Sequence, residues 1–186
     1  ARETALKLQD IKADAILASP YLRTIQTAIP FAEQQDLPIC IEHGLSEVKY
    51  IPDLLPDSSS RYLYFPHIDR SYVSMTVPTA STDDIHITFN KPYESVPEEL
   101  FKRIIRVAEL LETNVNGKTL FCFTHAMSVA LVAALLKCNL EDIPGDSDCN
   151  PNERTDMFAP LGIYHLTRSG NGPWRLISNG STNKHL

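Results

Sequence analysis

Residues 118–136 read KTLFCFTHAMSVALVAALL and limit the possible folds more than any other stretch. Positions 119–124 are β-branched, aromatic or apolar without alternation, as a strand covered on both faces of a parallel sheet is. His125 stands where such a strand ends. Residues 128–136 are apolar on every side and rich in Ala and Leu, which predicts a buried helix. Strand, sharp turn with a histidine, then helix is the place where open α/β sheets gather ligands. Backbone N–H groups of Ala126, Met127 and Ser128 at the helix start would favour an anion opposite His125. Taken alone, the pattern also fits a histidine that merely caps a strand end.

The rest of the chain supplies the remaining layers. Residues 1–9 are helix formers, with Ala5, Leu6 and Leu8 available for burial, and residues 14–19 form a short apolar strand. Ser19-Pro20 predicts a helix start, with Ser19 as N-cap and Pro20 at the first helical position. Leu22, Ile25, Ile29 and Ala32 give that helix a buried stripe, Arg23 lies off it, and Pro30 should kink it. Residues 38–42 make a third strand, ending at His43 and Gly44. Residues 48–93 lose all periodicity and hold five prolines, yet Tyr50, Tyr62, Tyr64, Phe65, Tyr72, Phe89 and Tyr93 argue for an ordered insertion. Within it, residues 85–89 alternate like an edge strand. Residues 95–112 are the clearest helix, with Ser95 and Glu98 at capping-box spacing and Leu100, Phe101, Ile104, Ala108 and Leu111 as its apolar face. Residues 162–168 and 174–178 read as a hairpin. The expected fold is α/β: a three-layer α/β/α sandwich with a mostly parallel central sheet, a C-terminal hairpin and a large insertion over residues 48–93 that caps the site.

Charge and cysteine usage narrow the function. A net charge of −6 over 186 residues argues against nucleic acid as partner. No apolar run reaches the roughly 18 residues needed to span a bilayer. Cys40, Cys122, Cys138 and Cys149 show neither CxxC nor zinc spacing, so free thiols in a reducing, cytoplasmic setting are expected.

A second stretch, ASPYLRTIQTA at residues 18–28, repeats the strand-to-helix pattern and puts Arg23 in the helix's first turns. If its strand neighbours the one before His125, a guanidinium fork and a histidine share one sheet edge, which suits a phosphoryl group. The two motifs together resemble the histidine phosphatase (phosphoglycerate-mutase-like) superfamily. SPYLRTIQTA is similar to its second phosphate-binding motif, and FTHAMSVA to the motif of its second catalytic histidine. The segment His43-Gly44-Leu45-Ser46-Glu47 resembles the one that carries an acidic proton donor. The large insertion and the ending PWRLISNGSTNKHL look most like the UBA- and SH3-containing protein tyrosine phosphatases and the ecdysteroid-phosphate phosphatases.

The resemblance implies a phosphomonoester hydrolase working through a phosphohistidine. Arg23, His125 and Ala126 would bind phosphate, with His125 and Glu47 catalytic. It implies no metal or other cofactor. The expected partner is a phosphorylated small molecule or a phosphotyrosine-type substrate, with no nucleic acid and no membrane, and a homodimer is allowed. Two departures stand out. Ala126 occupies a position where members commonly have Gly, and the family's Arg-His-Gly motif, which carries the nucleophile, is absent. His43-Gly44 follows Glu42 and comes after the second motif, so it is no substitute, and the nucleophile is expected upstream of Ala1. The alternative is a catalytically inactive binding module of the same fold.

Overall fold

Strand β1 (Ala15–Ala18) is apolar throughout, with Ile16, Leu17 and Ala18 buried, and such a strand needs partners along both edges. In the computed structural model it has them. Strand β2 (Ile39–Ile41) pairs with it in parallel on one side and β3 (Leu120–Phe123) in parallel on the other. The structure describes residues 1–47, 65–76, 97–115, 117–125, 128–139 and 162–178. They fall into two units, Ala1–His125 and Ala126–Leu186. The fold is mixed α/β, as the sequence predicts.

Helix α1 (Arg2–Lys7) leads into β1 and buries Ala5, with Leu8 buried just after it; Leu6, expected inside, is 62% exposed. Helix α2 (Leu22–Gln35) covers the sheet. Its buried set is Thr24, Ile25, Ala28, Phe31 and Ala32, turned away from the expected stripe, and Leu22 and Ile29 are only half-buried. Phe31 explains the turn. Its ring lies 4.3 Å from that of Phe121 and 6.1 Å from that of Phe123, so the largest side chain of the helix sits over β3. The helix starts after Tyr21 rather than at Pro20, has no side-chain cap, and continues through Pro30 to Gln35. It ends at Asp36 in the left-handed conformation.

Helix α3 (Pro97–Asn114) buries Ile104, Val107, Ala108 and Leu111 and packs on the 3-10 turn His43–Leu45. Phe101, expected on its apolar face, is 44% exposed. The expected capping pair, Ser95 and Glu98, and the Leu100 side chain lie outside the described residues. The turn before β3 passes through Gly117 at φ +70°, a conformation that side-chain-bearing residues rarely adopt.

The sheet order β2-β1-β3 means that the chain leaves β1 toward one side and returns on the other. The β1/β3 boundary is therefore a switch point, where crevices open at the C-terminal strand ends. Of the insertion, residues 65–76 are described. Ile68 bridges Ile39 in parallel, with Ile39 N donating to His67 O at 2.7 Å and Asp69 N to Ile39 O at 2.9 Å. The predicted edge strand at residues 85–89 lies outside the described residues. Among the described residues no strand pairs with the second edge of β3.

In the second unit, helix α4 (Ser128–Leu136) packs on an antiparallel hairpin of β4 (His165–Thr167) and β5 (Arg175–Ser178). Val129, Val132 and Ala133 are buried against Leu136, Tyr164, Leu166 and Leu176. Arg168 lies over the Trp174 ring at 4.9 Å. Cys40, Cys122 and Cys138 are free thiols, and Cys149 lies outside the described residues. Among the described residues no helix is long and apolar enough to cross a membrane.

Candidate active site

Backbone pairing past the strand ends brings the site together. The β1/β3 ladder continues with Ser19 N donating to Phe123 O at 2.9 Å, which sets Ser19 beside the end of β3. The β1/β2 ladder continues with Glu42 N donating to Ala18 O at 2.8 Å. Thr124 Oγ1 then donates to Leu45 O at 3.0 Å, tying the end of β3 to the 3-10 turn. Arg103 of α3 holds the same turn from outside. Its Nη1 donates to Gly44 O at 2.7 Å and to Ser46 O at 2.9 Å, and its Nη2 to Glu47 O at 3.3 Å. A fixed fork of donors on three carbonyls of one turn leaves the backbone of Glu47 one course to follow.

The result is a three-sided contact. Arg23 Nη2 lies 2.9 Å from His125 Nδ1 and 3.4 Å from Glu47 Oε2, and His125 Nδ1 lies 3.4 Å from the same oxygen. The side chain of His125 is 2% exposed and that of Glu47 14%, whereas Arg23 is 50% exposed. Tyr21 packs against both basic groups, its ring edge-on to His125 at 4.8 Å and under the Arg23 guanidinium at 4.6 Å. The sequence-expected Arg23, His125 and Glu47 thus meet. Ala126 lies outside the described residues, and so does the turn into α4.

Hydrogen-bond partners define the state of His125. Arg23 has only donors, so Nδ1 accepts and carries no proton; Nε2 carries it and donates to Ser19 Oγ at 2.8 Å. Burial, then the positive charges of Arg23 and Arg103, push the imidazole down from 6.5 to about 3, which keeps the ring neutral. Ser19, His125 and Glu47 stand in the order of a serine-hydrolase triad, but the proton is on the wrong nitrogen for His125 to act as base toward Ser19. Ser19 is also fully buried. The hydroxyl's use is different. It accepts from Nε2–H now and can donate to Nε2 if the ring proton moves to Nδ1, so it supports both neutral tautomers.

Sequence reasoning assigned Ser19 to a helix cap and missed this contact. The signal was present, because Ser19 and His125 each follow an apolar strand directly. A second missed residue is Glu42, fully buried beside Ser19. His43, next to it, is buried in the 3-10 turn, its N–H donating to Ser74 Oγ at 3.3 Å.

Residues 1–52 match the family model of the histidine phosphatase superfamily (branch 1), a span that holds Arg23 and Glu47. No curated protein matches the chain by sequence. A solved structure titled mycobacterial hydrolase 1 superposes with TM-score 0.55 at 14% identity, covering 98% of this chain and 83% of its own. The native structure of a mycobacterial glucosyl-3-phosphoglycerate phosphatase gives 0.53 at 16% identity, covering 98% and 86%. Neither these two structures nor the family match points to the UBA- and SH3-containing branch. Residues 1–52 are thus similar to the histidine phosphatase superfamily, and the two solved structures share the fold of the chain.

Proposed function

We infer that the chain carries the phosphate-binding and proton-transfer side of a phosphomonoester hydrolase. The observation behind this reading is the meeting of Arg23, His125 and Glu47 within 2.9–3.4 Å at the β1/β3 switch point. Phosphoryl oxygens would compete for the half-exposed Arg23 guanidinium and take it from His125 and Glu47, because a bidentate guanidinium–phosphate pair is strong. With Arg23 drawn away, Nδ1 can accept a proton and donate to a phosphoryl oxygen while Ser19 Oγ holds Nε2. Both donors would then act where negative charge develops in the transition state. Glu47, freed from Arg23, would take up a proton from solvent and pass it to the departing alcohol oxygen.

The nucleophile in this reading is a histidine upstream of Ala1. Its ring nitrogen bonds to phosphorus as the phosphorus–oxygen bond to the alcohol breaks. Water then attacks the phosphohistidine, giving up a proton to Glu47 and releasing inorganic phosphate and the free imidazole. The aromatic residues of the insertion favour a flat or apolar phosphoester, such as an aryl phosphate, over phosphoglycerate. The test is acid-labile, alkali-stable phosphoryl transfer to the full-length protein from labelled aryl phosphate, with turnover on both ester types. Phosphate binding without turnover would leave the binding-module reading standing. A preference for phosphoglycerate would overturn the substrate assignment.

A further inference from the structure

Glu42 is fully buried and belongs to none of the three groups above. Its carboxylate collects donors from two segments far apart in sequence. From its own turn, Gly44 N donates to Oε1 at 3.0 Å. From the insertion come Ser74 Oγ to Oε1 at 2.8 Å, Thr76 N to Oε1 at 3.4 Å and the Thr76 hydroxyl to Oε1. Tyr72 OH donates to Oε2 at 3.0 Å and Met75 N to the same oxygen at 2.8 Å. Burial pushes the carboxyl up, but the hydrogen bonds from Thr76, Gly44, Ser74 and Met75 together outweigh it and hold it below the usual carboxylate range.

A buried ion with this many donors is a device for holding backbone in place, since each donor loses an acceptor if the carboxylate moves. The turn it holds is the one that Arg103 grips and that ends at Glu47. Its own backbone is bonded to Ala18, next to Ser19. We propose that Glu42 is a positioning residue: it clamps residues 72–76 of the insertion onto the 43–47 turn and thereby aims Glu47 at the leaving group. This rests on the phosphatase reading above. It adds that the insertion acts on the proton donor through Glu42, as well as through any contact with substrate.

Leaving-group dependence separates aim from fold. A nitrophenyl phosphate departs without needing a proton, whereas an alkyl phosphate needs one. In the full-length protein, Glu47→Gln is expected to lower kcat/KM, which reports phosphoryl transfer from the ester and not the later hydrolysis, about 100-fold on the alkyl ester and less than about threefold on the nitrophenyl ester. Glu42→Gln should show the same split at about tenfold on the alkyl ester, with KM unchanged, and Tyr72→Phe and Thr76→Val a weaker form of it. Glu42→Asp, which keeps the charge, should recover part of the loss. Hydrogen exchange should quicken at the amides of Gly44, Met75 and residues 45–47 in Glu42→Gln, while those of β1 and β3 stay as they were. Equal losses on both esters, or exchange that rises throughout the sheet, would mean that Glu42 only supports folding and would overturn the proposal. If Glu47→Gln shows the split and Glu42→Gln does not, the phosphatase reading stands and this one fails. If the unaltered protein hydrolyses neither ester, the phosphatase reading fails, and unchanged exchange at residues 43–47 would remove the clamp as well.

Discussion

Arg23 Nη2 donates to His125 Nδ1 at 2.9 Å, so a cation caps the one ring nitrogen that faces away from Ser19. The pair joins neighbouring parallel strands, with β1 leading to Arg23 and β3 to His125. In the proposed reaction this contact is the resting state that a phosphoryl group displaces.

Replacing Arg23 by Lys keeps the charge and removes the fork. The ammonium cannot present a planar fork to two phosphoryl oxygens from over the Tyr21 ring, as the guanidinium does. Arg23→Lys in the full-length protein should lower kcat/KM about 10²–10³-fold, the scale of losing one preorganised donor. Steady-state kinetics on an aryl phosphate decides it, and a loss below about threefold would remove Arg23 from the reaction.

Ser19→Ala leaves Nε2–H of a buried ring without its acceptor. An unpaired buried donor costs roughly 1–3 kcal/mol, so the melting temperature should fall. Imidazole nitrogen chemical shifts should report the proton on Nε2 in the unaltered protein and a changed tautomer ratio in Ser19→Ala. A proton on Nδ1 in the unaltered protein would overturn the Nε2–H tautomer of His125.

Stability should decline on acidification from near neutrality. His125 titrates at about 3 in the folded chain against an ordinary 6.5. Between those values the unfolded chain binds a proton that the folded chain refuses, so stability is full above 6.5 and falls by about 1.4 kcal/mol per pH unit below it. Glu42 adds to the fall further down. Its lowered value contributes stability above the ordinary 4.5, and that contribution is lost as pH drops through the folded value. Denaturant midpoints at pH 7, 6, 5 and 4 test this, with His125→Gln flattening the upper part of the curve. A flat curve from pH 7 to 5 in the unaltered protein would refute it.

Gly44 is required by space. A Cβ there would run into the methyl groups of Val107 on α3 and Thr76 of the insertion. Gly44→Ala should therefore part the helix from the turn, at about 1–3 kcal/mol by overpacking. Activity should fall with it, because Arg103 donates to the carbonyl of the same residue. A melting temperature unchanged by Gly44→Ala would show that the turn can shift without loss.

The sequence determined what depends on neighbours along the chain. An all-apolar run with a histidine at its end gave β3 and His125, and SPYLRTIQTA gave the strand-to-helix passage with Arg23 near its start. Helix α4 spans Ser128–Leu136, the stretch its composition predicts, because a segment apolar on every side needs no particular partner to be helical and buried. Facing was less legible. Phe101 and Leu6 fit their helices' apolar pattern yet lie exposed, because the partner surface, and not periodicity, decides which side is covered. Two residues of the candidate site were decided by tertiary structure alone. Ser19 looks like a helix cap until the β1/β3 register sets it against His125, 106 residues away. Glu42 looks like the end of a strand until the insertion folds back and wraps it in donors. Local pattern records propensity and burial. A hydrogen bond between distant residues depends on strand order and register, which no local window contains.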